Sequence, residues 1–228
     1  MTLFHLKRTF PPYSVETPNA RLVAGMFGLD SHIDLGIDVL EATDLEIEPG
    51  QLVYVTGASG SGKSVILKEL RSQLPDCLDL MDQDLPRDRP VVDCFDADLE
   101  ETFQWLALAG LSEAYALLRT PEELSDGQRY RLRLALALAQ RPKSLIIDEF
   151  CATLDRVTAA VVAHNVRRAA DRFDITIVVA TSHDDLLEDL EPDVVVVKSL
   201  GARAEVFYPP RLKPHEVHNR RHRPNRTA

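Results

Sequence analysis

The chain contains no long apolar run. Its uninterrupted hydrophobic stretches are as short as Val194 to Val197, far below the ~20 residues that a membrane-crossing helix needs. The opening segment MTLFHLKRTF lacks the sustained apolar stretch of a secretory signal. These absences argue against membrane insertion and against export, and place the expected location in the cytoplasm. Cysteine is scarce as well. Cys77, Cys94 and Cys151 are widely spaced and form no Cys-x-x-Cys pair, which excludes a disulfide framework and leaves ordinary reduced thiols. No internal repeat is found, and a correctly placed G-x-G-x-x-G, the mark of a dinucleotide site, is missing.

What is present is a chain of 228 residues, 45% of them hydrophobic, long enough for a soluble domain with a well-buried core. Its net charge is −10, unevenly spread: residues Arg211 to Ala228 hold six Lys or Arg against one Glu, so the rest of the chain carries −15. An acidic body does not favour general nucleic-acid binding. The basic tail has a composition suited to touching nucleic-acid phosphates, but the plainer reading is a solvated, flexible segment.

Along the chain, residues up to about Pro18 are broken by proline and read as irregular. Ala20 to Gly28 is a candidate short helix with Leu22, Val23, Met26 and Phe27 on one side. The pattern sharpens after the Pro49-Gly50 turn, where Leu52 to Thr56 reads as a buried strand. A glycine-rich stretch follows, and then Ile66, Leu67, Leu70 and Leu74 at helical spacing until Pro75. Between Asp93 and Gln140 the apolar residues Phe103, Leu106, Leu111, Tyr115 and Leu118, and then alternating Leu and Ala from Arg129, predict a helical lobe of about residues 85–142. From Ser144 onward strands (145–147, 175–180, 194–197) alternate with a helix over 157–173, and a hairpin is expected around Gly201. Such alternation predicts an α/β fold with a mainly parallel sheet covered by helices.

The segment Gly57-Ala58-Ser59-Gly60-Ser61-Gly62-Lys63-Ser64 fits G-x-x-x-x-G-K-[ST] and lies between a predicted strand and a predicted helix. Glycines let the backbone curl so that its N–H groups face phosphate oxygens, and the helix N-terminus adds partial positive charge. Lys63 is then expected at the β and γ phosphates and Ser64 on Mg2+. Asp148 and Glu149 close an apolar strand; beside a phosphate loop this pair reads as a metal-holding carboxylate and a group that polarises the attacking water. Two adjacent acids after a strand are common in loops, so their weight comes from that company. Leu124-Ser125-Asp126-Gly127-Gln128 is first of all a capping box, Ser125 paired with Gln128 at a helix start.

In the order phosphate loop, LSDGQ, Asp-Glu strand, the chain resembles the ABC ATPases, whose signature is usually LSGGQ. The resemblance spans roughly residues 40–208 and implies a P-loop NTPase fold, the cofactors ATP and Mg2+, and a head-to-tail homodimer in which Ser125, Gly127 and Gln128 meet the ATP held by the other subunit. It places Val65 with the phosphate loop and identifies Ala152-Thr153-Leu154-Asp155 as the segment whose Asp155 crosses the interface. His183, within Thr181-Ser182-His183-Asp184, is implied as the residue that senses the γ-phosphate, and Gln83 as the glutamine that touches Mg2+ and relays nucleotide state to partners. The adenine-stacking aromatic stays unassigned, with Phe27 one candidate. Glu149, His183 and Lys63 are the implied catalytic set. Asp126, Phe150 and Val65 depart from the usual Gly, Pro and Thr of transporter subunits, and only 20 residues separate Lys63 from Gln83. The segments RLALALAQRPKSLIIDEF and VVATSHDDLLEDLEPDVVVV resemble more closely soluble ABC ATPases, some fused to acetyltransferase-like domains. The expected organisation is an N-terminal extension over 1–39, an ATPase domain over 40–210 and a basic tail over 211–228, coupled to an unidentified soluble partner or nucleic-acid process. The nucleotide-binding subunit of a transporter is the alternative.

Overall fold

The computed structural model describes residues 2–11, 17–28, 37–182 and 184–210. The basic tail, and with it the nucleic-acid expectation, lies outside the described residues, as does His183. In chain order the elements are β1 (Thr2–Phe10), α1 (Pro18–Met26), β2 (Ile37–Ile47), β3 (Leu52–Thr56), α2 (Lys63–Arg71), β4 (Cys77–Asp79), α3 (Leu99–Leu108), α4 (Ala114–Leu117), α5 (Asp126–Ala139), β5 (Ser144–Ile147), α6 (Arg156–Phe173), β6 (Thr176–Ala180), α7 (Leu187–Leu190), β7 (Val194–Lys198) and β8 (Ala204–Phe207), with short 3-10 turns between some of them.

Six strands form one sheet in the order β4-β5-β6-β3-β7-β8, parallel throughout except for β8, which returns antiparallel to β7. Both faces of this sheet are covered, which is why its central strands read as continuous apolar runs rather than as an alternating pattern. Leu52 and Tyr54 of β3 pack with the helical side, among residues of α3, α5 and α6, whereas Val53 and Val55 face α2 and the β1-β2 layer. β5 and β6 divide in the same way, Leu145, Ile147, Ile177 and Val179 to one face and Ile146, Val178 and Ala180 to the other.

The N-terminal segment departs from expectation. It is not an irregular extension: β1 pairs antiparallel with β2, Phe4 opposite Leu45 and Leu6 opposite Thr43, and both Phe4 and Leu6 are buried. The period-2 placement of Phe4 and Leu6 is a strand signal, hidden by the prolines that follow at 11 and 12. The folded unit therefore includes Thr2 onward. Helix α1 forms behind Thr17, whose side chain accepts from the Ala20 N–H, but Leu22, Val23, Met26 and Phe27 are exposed and only Ala24 is buried.

The lobe between β4 and β5 is helical, as its pattern predicts, but it is not one continuous amphipathic stretch. Gly110, at φ +74°, ends α3, so Leu106 and Leu111 point inward while Tyr115 and Leu118 are left on the surface. The lobe is tied to α6 by an aromatic joint. Trp105 of α3 stacks on Phe173 at 4.9 Å between ring centroids, and the Arg141 guanidinium lies 5.5 and 5.6 Å from the two rings.

A buried ion pair locks α6 to the sheet. Arg167 Nη1 donates to Asp193 Oδ2 at 2.7 Å, and the same carboxylate oxygen accepts from the Leu52 N–H at 2.8 Å. Burial works against the Arg167 charge, but its hydrogen bonds to Asp171 and Asp193 outweigh it and hold the guanidinium pKa above its ordinary value. Replacing Asp193 with Ala leaves a buried cation and a buried N–H without this acceptor, so Asp193→Ala should destabilise the domain by about 3 kcal/mol or more. Urea unfolding of the two proteins measures the difference, and a loss below about 0.5 kcal/mol contradicts the assignment of this pair as a structural lock.

Candidate functional site

The C-terminal ends of β3, β5 and β6 are neighbours in the sheet, and the chain leaves each of them with polar residues. This is the position where parallel α/β sheets bind ligands. After β3, residues 57–62 form a tight loop that leads into α2. Gly57 has φ +142° and Gly62 φ +100°, backbone that side chains rarely adopt. Gly57 is also pressed against the end of β7, where an added Cβ would lie 2.1 Å from the Lys198 carbonyl oxygen. Gly62 serves as the N-cap of α2 without any side-chain cap, so the helix offers its first N–H groups and its positive dipole end at the loop.

Lys63 Nζ donates to the Gly57 and Ala58 carbonyls at 2.8 and 3.0 Å and to Ser182 Oγ at 2.9 Å. Its ammonium thus bridges the loop to the end of β6. Ser64 Oγ donates to Asp148 Oδ2 at 2.6 Å, and Asp148 Oδ1 accepts from the Glu149 N–H at 2.9 Å. Both carboxylate oxygens are therefore oriented. Val65 turns its side chain toward the core beneath the loop, and its N–H bonds to the Gly62 carbonyl at 3.0 Å. The Ser61 hydroxyl is buried within the loop with no hydrogen-bond partner among the described residues. A hydroxyl and one carboxylate beside a lysine and a helix N-terminus suit Mg2+ held jointly with phosphate oxygens and water. Among the described residues no cluster of three His, Cys, Asp or Glu exists to hold a metal by protein groups alone.

Glu149 is exposed beside this pair, in a loop of unusual backbone. Glu149 and Cys151 have φ of +49° and +58°, costly for residues with side chains unless the surroundings enforce them. Two bonds hold the loop: the Phe150 N–H donates to the Ala180 carbonyl at 2.8 Å, and the Cys151 N–H to the Tyr130 hydroxyl at 3.1 Å. Burial pushes the Tyr130 phenol well above its ordinary pKa and the Cys151 thiol up to about 12, so both stay neutral at physiological pH.

Ser125 caps α5 with the full reciprocal box, its hydroxyl accepting from the Gln128 N–H at 3.3 Å and its own N–H donating to Gln128 Oε1 at 3.1 Å. Gly127 lies against the next loop, with Thr153 O and Leu154 Cδ2 at 3.2 and 3.1 Å from where its Cβ would be. Asp155 caps α6, accepting from the Val157 and Thr158 N–H groups at 3.0 Å each, and the Thr158 hydroxyl and N–H hold its pKa below the usual carboxylate range. Ser125 and Asp155 form an exposed edge of paired helix N-termini. Among the described residues no hydrogen bond joins that edge to loop 57–64.

The structure thus brings Lys63, Ser64, Asp148 and Glu149 together and groups Ser125, Gly127, Gln128 and Asp155 separately. Gln83 joins neither set: its side chain meets Gln140 at the end of α5 and the Asp84 carbonyl, not Ser64 or Asp148. After β4 ends at Asp79, the 3-10 turn Leu80–Asp82 places Gln83 beside the end of α5. Three residues escaped sequence reading. Tyr130 and Ser182 carry no motif of their own. Phe10 does end an alternating strand: exposed, it pairs with Ile37, two residues from Val39, whose Cγ1 is 3.4 Å from the Cβ position at Gly62.

Comparison with known proteins agrees with this geometry. A family model described as "ABC transporter" matches residues 79–152. Solved structures of ATP-binding cassettes superpose along nearly the whole fold: a dimeric bacterial ABC transporter cassette at TM-score 0.63 and 18% identity, and a dimeric cassette in a post-hydrolysis state bound to ADP and Pi at TM-score 0.61 and 17% identity, each covering 90% of this chain and 98% of the other. The chain has the fold of these ATP-binding cassettes. Among curated relatives of this domain are the sulfate/thiosulfate import ATP-binding protein of Synechococcus elongatus, 28% identical over 72% of this chain and 58% of that protein. The aliphatic sulfonates import ATP-binding protein of Ralstonia nicotianae is 34% identical over 64% and 59%. The domain therefore spans less than two thirds of the length of these relatives. No helix among its described residues is long and apolar enough to cross a membrane.

Tyr130→Phe tests how the domain holds the loop after β5. Loss of the hydroxyl strands the Cys151 N–H, which should cost about 1–3 kcal/mol and speed amide exchange in residues 150–155 while leaving α2 unchanged. Hydrogen exchange read by mass spectrometry checks both, and equal protection in the two proteins removes Tyr130 from this role.

Proposed function

We propose that the chain binds Mg·ATP in the 57–64 loop and hydrolyses it in a head-to-tail dimer with a second copy. The observation that carries this reading is the division of the site. One set of residues, Lys63, Ser64, Asp148 and Glu149, has the chemistry to hold Mg-polyphosphate and activate water. The other, Ser125 to Gln128, has the chemistry to meet a phosphate, a capped helix N-terminus with an exposed edge, yet makes no hydrogen bond to the first among the described residues. A second copy turned by half a rotation supplies to each loop the edge that it lacks.

In this reading the loop N–H groups and Lys63 bind the β and γ phosphates, Ser64 and Asp148 hold Mg2+, and Mg2+ neutralises charge as the terminal phosphate departs. Glu149 orients the water, with His183 at the γ-phosphate. Phe10, exposed at the end of β1 and paired with Ile37 two residues from Val39, is the candidate to stack on the adenine, and Asp155 spans the interface. Asp126 sets a negative charge where the neighbour's phosphate arrives; Arg129 Nη2, 2.5 Å from its Oδ1, offsets it.

Relatives that are import ATP-binding proteins favour work as the nucleotide-binding subunit of an importer over the stand-alone setting that the short 63–83 segment suggested. With Glu149→Gln as bait and ATP present, an integral membrane permease is the expected co-purifying protein. Recovery of soluble partners alone returns the stand-alone reading to first place.

Mixing two crippled variants tests the dimer. Lys63→Ala disables the loop of its own subunit, and Ser125→Arg blocks the edge that serves the neighbour. Each should be nearly inactive alone. A mixed dimer places both lesions in one site and leaves the other intact, so mixing should restore a measurable part of the turnover, or ATP-dependent dimerisation where hydrolysis demands two sites. Normal hydrolysis by Ser125→Arg, or turnover per chain that does not vary with concentration in a monomeric sample, overturns the shared site and leaves ATP binding standing.

A further inference from the structure

A second lysine lies under the phosphate loop. Lys198, the last residue of β7, is fully buried. Its backbone carbonyl is the atom against which Gly57 is pressed, and its side chain runs beneath the other end of the loop, with Cε and Nζ 3.7 and 4.0 Å from the Cβ position at Gly62. The ammonium donates to the Ser199 carbonyl at 3.0 Å and to the Gly201 carbonyl. No carboxylate forms an ion pair with it among the described residues; the opposite charge that it feels is that of Glu41. An ammonium removed from water without a paired anion is expensive, and an apolar side chain would fill the same space without that cost. Capping two turn carbonyls is a structural use that needs no charge.

We propose that Lys198 is a positioning residue that charges the phosphate loop from below and so raises its affinity for polyphosphate in proportion to the charge of the ligand. The inference rests on the nucleotide reading of loop 57–64. Lys63 approaches the ligand from the open side, while Lys198 acts through the loop backbone at Gly62, the N-cap of α2, without touching the ligand. The geometry suits this role because water is excluded from the ammonium, so its field is screened less than that of a surface lysine. At an effective dielectric of about 20, unit charges about 8 Å apart shift binding by roughly thirtyfold. Glu41 takes back part of that.

The experiment measures dissociation constants for ADP and ATP without Mg2+, in low and high NaCl, for the wild-type chain, Lys198→Gln and Lys198→Met, together with the urea midpoint of each. Lys198→Gln keeps a donor for the turn carbonyls and loses only the charge. The expected result is about tenfold weaker ATP binding, a smaller loss for ADP, a shallower salt dependence, and an unfolding midpoint at or above that of the wild type. ATP and ADP constants within twofold of wild type, or equal losses for the two that track a fall in stability, overturn the inference. So does loss of the fold in both variants, which makes Lys198 a structural cap. A wild-type chain that binds neither nucleotide overturns the nucleotide reading itself, a result distinct from wild-type binding that is indifferent to Lys198.

Discussion

Everything chemical in this molecule hangs from β3, a five-residue strand buried on both faces. Parallel pairing with β6 on one side and β7 on the other fixes where β3 ends, and that end is where the phosphate loop begins. Because the strand is fully dry, its register admits no slip: a shift by one residue exchanges Leu52 and Tyr54 with Val53 and Val55 between two differently shaped cores. The loop's place relative to Asp148 and Ser182 is thus fixed by strand pairing and packing as well as by the hydrogen bonds of the site. The Asp193 carboxylate, which takes the Leu52 N–H, pins the entrance of the same strand.

From this anchor the two halves of the proposed site separate cleanly. Helices α5 and α6 start at the same edge, each with a side-chain cap, and Gly127 lets the first turn of α5 sit directly on the loop that links Glu149 to Asp155. The edge offered to a neighbouring chain is therefore in contact with the loop that carries the chain's own Glu149. Tyr130 strengthens that contact with a bond to a residue of left-handed backbone. The start of α5 thus touches the segment that follows Glu149 at two points, Gly127 against Thr153 and Leu154 and Tyr130 bonded to Cys151.

The motif-bearing parts of the site were legible because the chemistry there demands particular residues at particular spacings: glycines where the backbone curls, Lys63 and Ser64 at the helix start, acids at a strand end. The sheet was legible because two-sided burial leaves unbroken apolar runs. What escaped was set by tertiary position. β1 was hidden because Phe4 and Leu6 are a short alternation beside prolines, and their burial depends on β2 arriving more than 30 residues later. Tyr115 and Leu118 fit a helical period but lie beyond the turn at Gly110, so the period continues in sequence and not in space. Gln83 was placed by resemblance; its side-chain bond to Gln140 is a tertiary partner that no motif announces. Lys198 looks like the polar end of a strand; only the fold shows it closed off under the loop.

The joint between the helical lobe and α6 has a practical side. The chain has a single tryptophan, and it is the ring that stacks on Phe173 and under Arg141, at the seam where the lobe meets the sheet-bearing body. Indole emission responds to a nearby cation and to the wetting of the ring, so a swing of the lobe would part these planes and shift the spectrum. The molecule carries its own optical gauge of this seam, with no label to attach, once excitation at the red edge spares the five tyrosines.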